Sequence, residues 1–240
     1  MAHHAFALKL QLLALSVFLG MTAATAHAQE TVFNVPSADV LDKGKTYYEW
    51  DATLGDNAPS LAFTPRSVYG VGHGIETGIN ISSFNTPDPG TVAIVSATKW
   101  EFFESKQHGL VLFVGDHVFL PIRQRTYTIG NSAYVAAAKS FAGTRIAVGV
   151  YDFSAHVIDH ANRASVQASI EQVISPRLSL ATDWYSGNNS MGFVTSGLAC
   201  KISTFTLYTA YEMGNHDLLS GNHSILLVLG WNPVFHRTPR

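Results

Sequence analysis

Eleven histidines in 240 residues are the first side chains whose chemistry needs weighing. His3, His4 and His27 fall in an N-terminal leader, which leaves eight. His156 and His160 stand four apart with Asp159 between them, a spacing that would place two imidazoles on one helix face beside a carboxylate, as a zinc site needs. They fall in a polar connection, no third ligand is fixed by spacing, and a solvated loop is the preferred reading, so no metal is assigned. His223-Ser224 and His117 are the candidates for a base and a nucleophile. Adjacent residues on a strand point to opposite faces, so His223 and Ser224 cannot serve one another, and no Gly-x-Ser-x-Gly elbow presents a serine. Gly70-Val71-Gly72-His73-Gly74 is glycine-rich without a phosphate-cradling helix after it, and reads as a tight turn. The single cysteine, Cys200, excludes a disulfide framework or a cysteine-built zinc site and has no neighbouring His or basic cluster to activate it. The expectation is a protein that is not an enzyme, with no catalytic residue and no cofactor.

A different set of charges falls into a pattern. Glu49, Asp51, Glu76, Lys99, Glu101, Glu171, Asp183 and Glu212 each sit inside a segment of alternating polarity, on the polar side of that alternation. In Ile75-Glu76-Thr77-Gly78-Ile79-Asn80-Ile81-Ser82 the apolar and β-branched residues take every second position and Glu76, Asn80 and Ser82 the others. Similar alternation marks 178–184 and 205–212, while 225–231 is apolar on both faces. With Gly, Pro, Asn, Asp and Ser as punctuation, twelve strands are predicted at about 45–54, 61–72, 74–84, 91–103, 109–120, 128–140, 144–153, 163–173, 177–186, 190–201, 204–212 and 223–231.

The links between them alternate too. Those after even-numbered strands are tight, as at 71–74, 141–144, 174–177 and 201–203, and those after odd-numbered strands are longer and more polar. Short turns at one end and long loops at the other are the rhythm of an up-and-down antiparallel transmembrane β-barrel, and an all-β barrel of about twelve strands is the predicted fold. Composition agrees: 47% of the residues are hydrophobic and only 13% charged, about half the ~25% of an ordinary soluble domain. A formal net charge of -2 supplies no broad basic surface, so no nucleic-acid partner is expected.

In a barrel the charged face belongs inside, because Arg or Lys at mid-depth on the lipid face costs about 2–4 kcal/mol. The eight charges above are therefore the lumen-lining candidates, mainly acidic with Lys99 as the cation among them. Tyr48, Trp50, Ala52 and Leu54 go outward on the first strand and Tyr47, Glu49, Asp51 and Thr53 inward. Trp50, Trp100, Trp184 and Trp231 are expected outward near strand ends, where an amphipathic ring prefers the headgroup region.

Residues 1–28 read as a secretory signal: Lys9 with two histidines, an apolar run from Leu10 to Met21, no acid before Glu30, and Ala26-His27-Ala28 as the cleavage pattern, with cleavage after Ala28. The organisation is then a signal peptide at 1–28, a periplasmic segment at 29–44, a barrel at 45–231 and a basic tail at 232–240. After the signal, no stretch supplies the ~20 unbroken apolar residues of a membrane helix.

The run Val35-Pro36-Ser37-Ala38-Asp39-Val40-Leu41-Asp42-Lys43-Gly44 leading into a Tyr/Glu/Asp strand resembles the start of bacterial outer-membrane barrels of the phenol-degradation MetA-like group. Leu178 to Ser190, Phe205 to Tyr211 and the closing strand are similar too. The tail after Trp231 departs from the aromatic strand terminus with which such barrels usually end. The resemblance implies an outer-membrane transporter whose partners are outer-membrane lipid and the assembly machinery. Together with the pattern it predicts a narrow channel or transporter for a small solute, with a non-transporting structural or surface-interaction barrel, or a soluble lipocalin-like periplasmic binder, as alternatives.

Overall fold

The computed structural model describes residues 30–55, 61–82, 84–86, 92–123, 129–154, 157, 163–189, 191–215 and 223–233. The predicted leader with its expected cleavage site, the candidate ligands His156, Asp159 and His160, and tail residues 234–240 lie outside them. Period-2 segments bounded by turn residues become β1 (Thr46–Gly55), β2 (Leu61–Gly72), β3 (Ile75–Ser82), β4 (Phe84–Thr86), β5 (Ala93–Ser105), β6 (Leu110–Pro121) and β7 (Gly130–Phe141). They continue as β8 (Thr144–Phe153), β9 (Ala164–Ser175), β10 (Leu178–Tyr185), β11 (Phe193–Ile202), β12 (Phe205–Gly214) and β13 (Ser224–Trp231). The short β4 pairs with Leu61, Ala62 and Phe63 at the far end of β2, where β3 leaves off, so the thirteen segments make twelve staves.

Each stave pairs antiparallel with its neighbours in the chain, and β13 returns to β1 through pairs from Tyr48↔Trp231 to Gly55↔Ser224. The sheet therefore has no free edge, and the fold is a closed twelve-stranded up-and-down barrel. Two tight turns show how the sequence closes its hairpins. His73 and Gly74 (φ 57° and 73°) and Ala142 and Gly143 (φ 47° and 81°) take the left-handed region at both central positions, as two-residue hairpins matched to strand twist require. The glycine-rich 70–74 run is that turn.

Alternation sorts the side chains by face. Val135, Val148, Val150, Ile79, Leu227 and Leu229 stand on the outside, 39–61% exposed. So much contiguous apolar surface in water would be an aggregation site, and on a barrel it is the lipid-facing band. Aromatics gather near the tight-turn rim. Trp231 stacks between Tyr48 and Phe205 at centroid distances of 5.5 and 6.0 Å, and Trp100 lies 5.7 Å from Phe102. Trp184 is outward near the opposite end of β10. Trp50 is outward but departs from the expected strand-end position: it stands in mid-β1, across from Pro65 and Leu229. Alternation fixes which face a ring takes, whereas its depth follows from register.

The second departure is larger. Of the stretch 29–44, expected as a periplasmic segment, residues 30–41 run inside the barrel, and 42–45 cross the tight-turn rim. Glu30, Thr31, Val32, Phe33, Val35, Ser37, Ala38 and Leu41 are all buried. The chain enters beside Gly70, whose carbonyl accepts the Gly44 N–H at 2.8 Å and whose N–H donates to the Lys45 carbonyl at 3.0 Å. A Cβ at residue 70 would lie 2.2 Å from the Asp42 carbonyl oxygen, so only glycine lets the segment pass. The physical reason for the correction is polar satisfaction. An inner wall carrying this many charges needs partners, and a short segment without periodicity of its own supplies free N–H and C=O groups.

Candidate functional site

The inner segment is a small closed turn. Thr31 bridges Pro36, the Val32 N–H donates to the Val35 carbonyl at 2.8 Å, and the Ser37 N–H donates to the Glu30 carbonyl at 3.1 Å. Proline at 36 has no N–H to strand, and the turn leaves three consecutive N–H groups pointing the same way. Those of Phe33, Asn34 and Val35 converge on one oxygen, Asp183 Oδ2, at 2.9, 2.6 and 2.9 Å. Such a run of backbone donors is an anion-binding nest, filled here by a wall carboxylate. The Asn34 amide donates onward to Thr195 Oγ1 at 2.9 Å and Glu212 Oε1 at 2.7 Å. Ser224 donates to the other Glu212 oxygen.

Across the lumen the contacts are ionic. Glu30 Oε1 meets Asn80 Nδ2 at 2.9 Å and His117 Nε2 at 3.0 Å, and Glu30 Oε2 lies 4.0 Å from Arg66. Burial alone would raise the Glu30 carboxyl, but the His117 contact, the Arg66 and His117 charges and the Asn80 amide together hold it down at about 2. Arg66 is shared with Asp51 at 2.8 Å and Glu49 at 3.3 Å, and Tyr47 donates its hydroxyl to Glu49 at 2.6 Å. Gly230 makes room for that tyrosine, since a Cβ there would stand 2.3 Å from its oxygen. Lower down, Lys99 pairs with Glu76 at 2.8 Å and donates to the Ser37 carbonyl at 3.1 Å, while the Leu41 N–H donates to Glu76. Arg145 grips Asp39 with its two terminal guanidinium nitrogens and pairs with Glu171 at 2.8 Å. A cavity bounded by Glu30, Glu76, Lys99, His117 and Tyr134 encloses about 10 Å³, room for one water.

The structure thus brings Glu49, Asp51, Glu76, Lys99, Glu171, Asp183 and Glu212 onto the inner wall around one segment. Glu101 stands apart: it is half-exposed at the tight-turn rim beside a bulge between Glu101 and Phe103. Lys99 is not the only wall cation, because Arg66 and Arg145 join it. Register would have identified both, since Glu49 faces Arg66 and Arg145 faces Glu171 directly across the strands. Glu30, Asn34 and Asp39 carry no strand pattern and could not be found by periodicity. His117 contacts Glu30 and faces Ser132 across the β6–β7 ladder, while His223 stacks on Tyr211 at 5.8 Å and Ser224 bonds Glu212. Cys200 is half-buried between Leu178 and Leu207 on the neighbouring strands.

No protein-family model matches the chain, and no curated protein matches it. Among solved structures the chain is similar to the KdgM porin in complex with disordered oligogalacturonate, with a TM-score of 0.58 and 6% identity over 80% of this chain and 99% of that one. A further structure of the KdgM porin gives a TM-score of 0.58 and 7% identity over 79% and 99%. The outer membrane phospholipase A from Escherichia coli is similar at a TM-score of 0.48 and 13% identity, covering 82% of this chain and 96% of that one, a likeness too loose to inform the site. At such identities the likeness establishes the fold alone: this chain is an all-β, closed, twelve-stranded antiparallel barrel of the outer-membrane type.

Proposed function

We propose that this protein is exported with its leader cleaved after Ala28, spans the bacterial outer membrane, and conducts or holds a small polar solute in a narrow lumen controlled by its own N-terminal segment. The observation that carries this reading is the contrast between the two faces of one sheet. The outside is dominated by exposed large apolar side chains, and the inside carries acids, amides and cations that only a hydrated or filled interior accommodates. The likeness to MetA-like barrels at Val35 to Gly44 and to the KdgM fold supports the same class.

The solute class follows from the wall. Carboxylates of Glu49, Asp51, Glu76, Glu171, Asp183 and Glu212 outnumber the cations Arg66, Lys99 and Arg145. A polyanion such as the oligogalacturonate of the KdgM complex would be repelled by that excess, so the reading is for neutral or cationic solutes. The proposal includes no catalytic role and no cofactor; its partners are outer-membrane lipid, the assembly machinery and the solute. The test is conductance and solute flux in planar bilayers with detergent-purified, heat-modifiable protein. A folded barrel silent in both assays, at every solute and salt tried, would overturn it.

One observation favours a second reading, a non-transporting structural barrel: the segment inside is bonded to residues of β2, β3, β5, β6, β8, β10, β11 and β12. Lys99→Met separates the two. Unchanged permeability with lost heat resistance supports the structural role, and changed permeability the transporting one.

A further inference from the structure

Charge is balanced unevenly around the lumen. Glu49, Asp51, Glu76 and Glu171 each have an arginine or lysine within 3.3 Å. Asp183 and Glu212 have no cation as an ion-pair partner among the described residues, although they are 1% and 8% exposed. They stand on β10 and β12 with Thr195 of β11 between them, in register as Asp183↔Thr195 and Thr195↔Glu212. What they hold is four neutral N–H donors: three backbone groups of the turn 32–35 on Asp183 and the Asn34 amide on Glu212. Two buried carboxylates that share only neutral donors are under-compensated, and a cation presenting N–H groups would satisfy both charge and hydrogen bonding.

A second observation points the same way. Asp183 Oδ1 is buried without a hydrogen-bond partner, and Gln167, 1% exposed, has both its amide oxygen and its amide nitrogen unpaired. Gln167 occupies the next inward position of β9 toward the loop rim, diagonal to Asp183, because Ser169 faces Asp183 and Gln167 faces Tyr185. Acceptors and a spare amide thus collect on the inner face of four neighbouring staves, β9 to β12.

We propose that Gln167, Asp183, Thr195 and Glu212 form a recognition site for a protonated primary amine, which the turn 32–35 occupies as a resident stand-in. This rests on the reading that the lumen admits a solute, and supplies its class. An ammonium brings three donors and a full charge where the turn brings donors alone, and charge-assisted hydrogen bonds are roughly twice as strong as neutral ones. The turn has the compensating advantage of being tethered, which gives it an effective concentration in the millimolar range. The amine competes with the turn for these acceptors, and displacement of the turn is how solute binding opens the lumen.

The experiment uses the full mature chain in detergent, carrying Ser37→Cys in a Cys200→Ser background so that the new thiol reports withdrawal of the segment. Alkylation by a polar maleimide is timed with 1,4-diaminobutane, with sodium chloride at equal ionic strength, and with 1,4-butanediol. The expected result is labelling accelerated at least several-fold by the diamine alone. That dependence should disappear in both Asp183→Asn and Glu212→Gln, each checked for a heat-modifiable gel shift so that a misfolded variant is replaced by the other. Labelling indifferent to the diamine, matched by the salt or the diol, or still diamine-dependent in the folded variants overturns the site. Bilayer recordings distinguish this from failure of the transport reading: diamine-driven labelling without current leaves the site and removes the channel, whereas current indifferent to the diamine does the reverse.

Discussion

The two sides of the lumen solve the same problem differently. On β1 to β5 the wall compensates itself: Arg66 reaches Glu49 and Asp51 from the adjacent strand, and Lys99 reaches Glu76 directly across the β3–β5 ladder. On β10 to β13 the wall has acceptors and hydroxyls but no cation within ion-pair reach among the described residues, and the N-terminal turn supplies the donors. If the segment left, the first side would lose its bonds to Glu30, Ser37 and Leu41 but keep its wall-to-wall ion pairs, whereas Asp183 would lose all three of its backbone donors. A barrel interior can therefore be locked by strand register on one flank and held by a removable piece on the other.

Breaking the self-compensated side should cost most. Arg66→Met leaves Glu49, Asp51 and Glu30 facing one another, and stripping one partner from a buried ionic cluster typically costs about 3–5 kcal/mol. The expected readout is a marked drop in the urea or temperature midpoint of barrel unfolding. Next in size is the pH response of the segment. Glu30 is held at about 2 inside the barrel against an ordinary value of 4.5, so its anchor is fully present above pH 4.5 and is lost as pH falls toward 2. The difference corresponds to about 3 kcal/mol. Labelling of a thiol introduced by Ser37→Cys should accelerate over that window, and Glu30→Gln should remove most of the pH dependence there while raising the rate at neutral pH.

Asp183→Ala sharpens the comparison from the other flank. It strands three N–H groups, but it also removes a buried charge that no cation balances, so the net loss should be smaller, about 2 kcal/mol, and should show as release of the segment more than as unfolding of the barrel. Wild-type-like heat resistance with faster labelling is the expected pair of results. Equal losses at Arg66 and Asp183 would erase the distinction between the flanks. Thr195→Val, which removes one acceptor of the Asn34 amide, should have the smallest effect, about 1 kcal/mol on retention of the segment and none resolvable on the barrel midpoint.

Much of the barrel was legible before any coordinates. Period-2 alternation requires a half-polar sheet, the tight links at 71–74, 141–144 and 174–177 require hairpins, and the apolar outer set leaves the charged positions nowhere to go but inward. These are local properties, each decided within about ten residues. What tertiary structure alone decided is everything that depends on which strand faces which. Register brought Arg66 opposite Glu49 and Arg145 opposite Glu171, and it set Trp50 at mid-depth instead of in a girdle. Closure created an interior, and only then did residues 30–41, which have no period and bury little by themselves, acquire a place: inside, where their backbone donors meet a carboxylate from a strand more than a hundred residues away and the Asn34 amide meets another. Hydrophobic pattern is written along the chain, whereas satisfaction of buried charge is a property of the closed surface, and no stretch of sequence contains that surface.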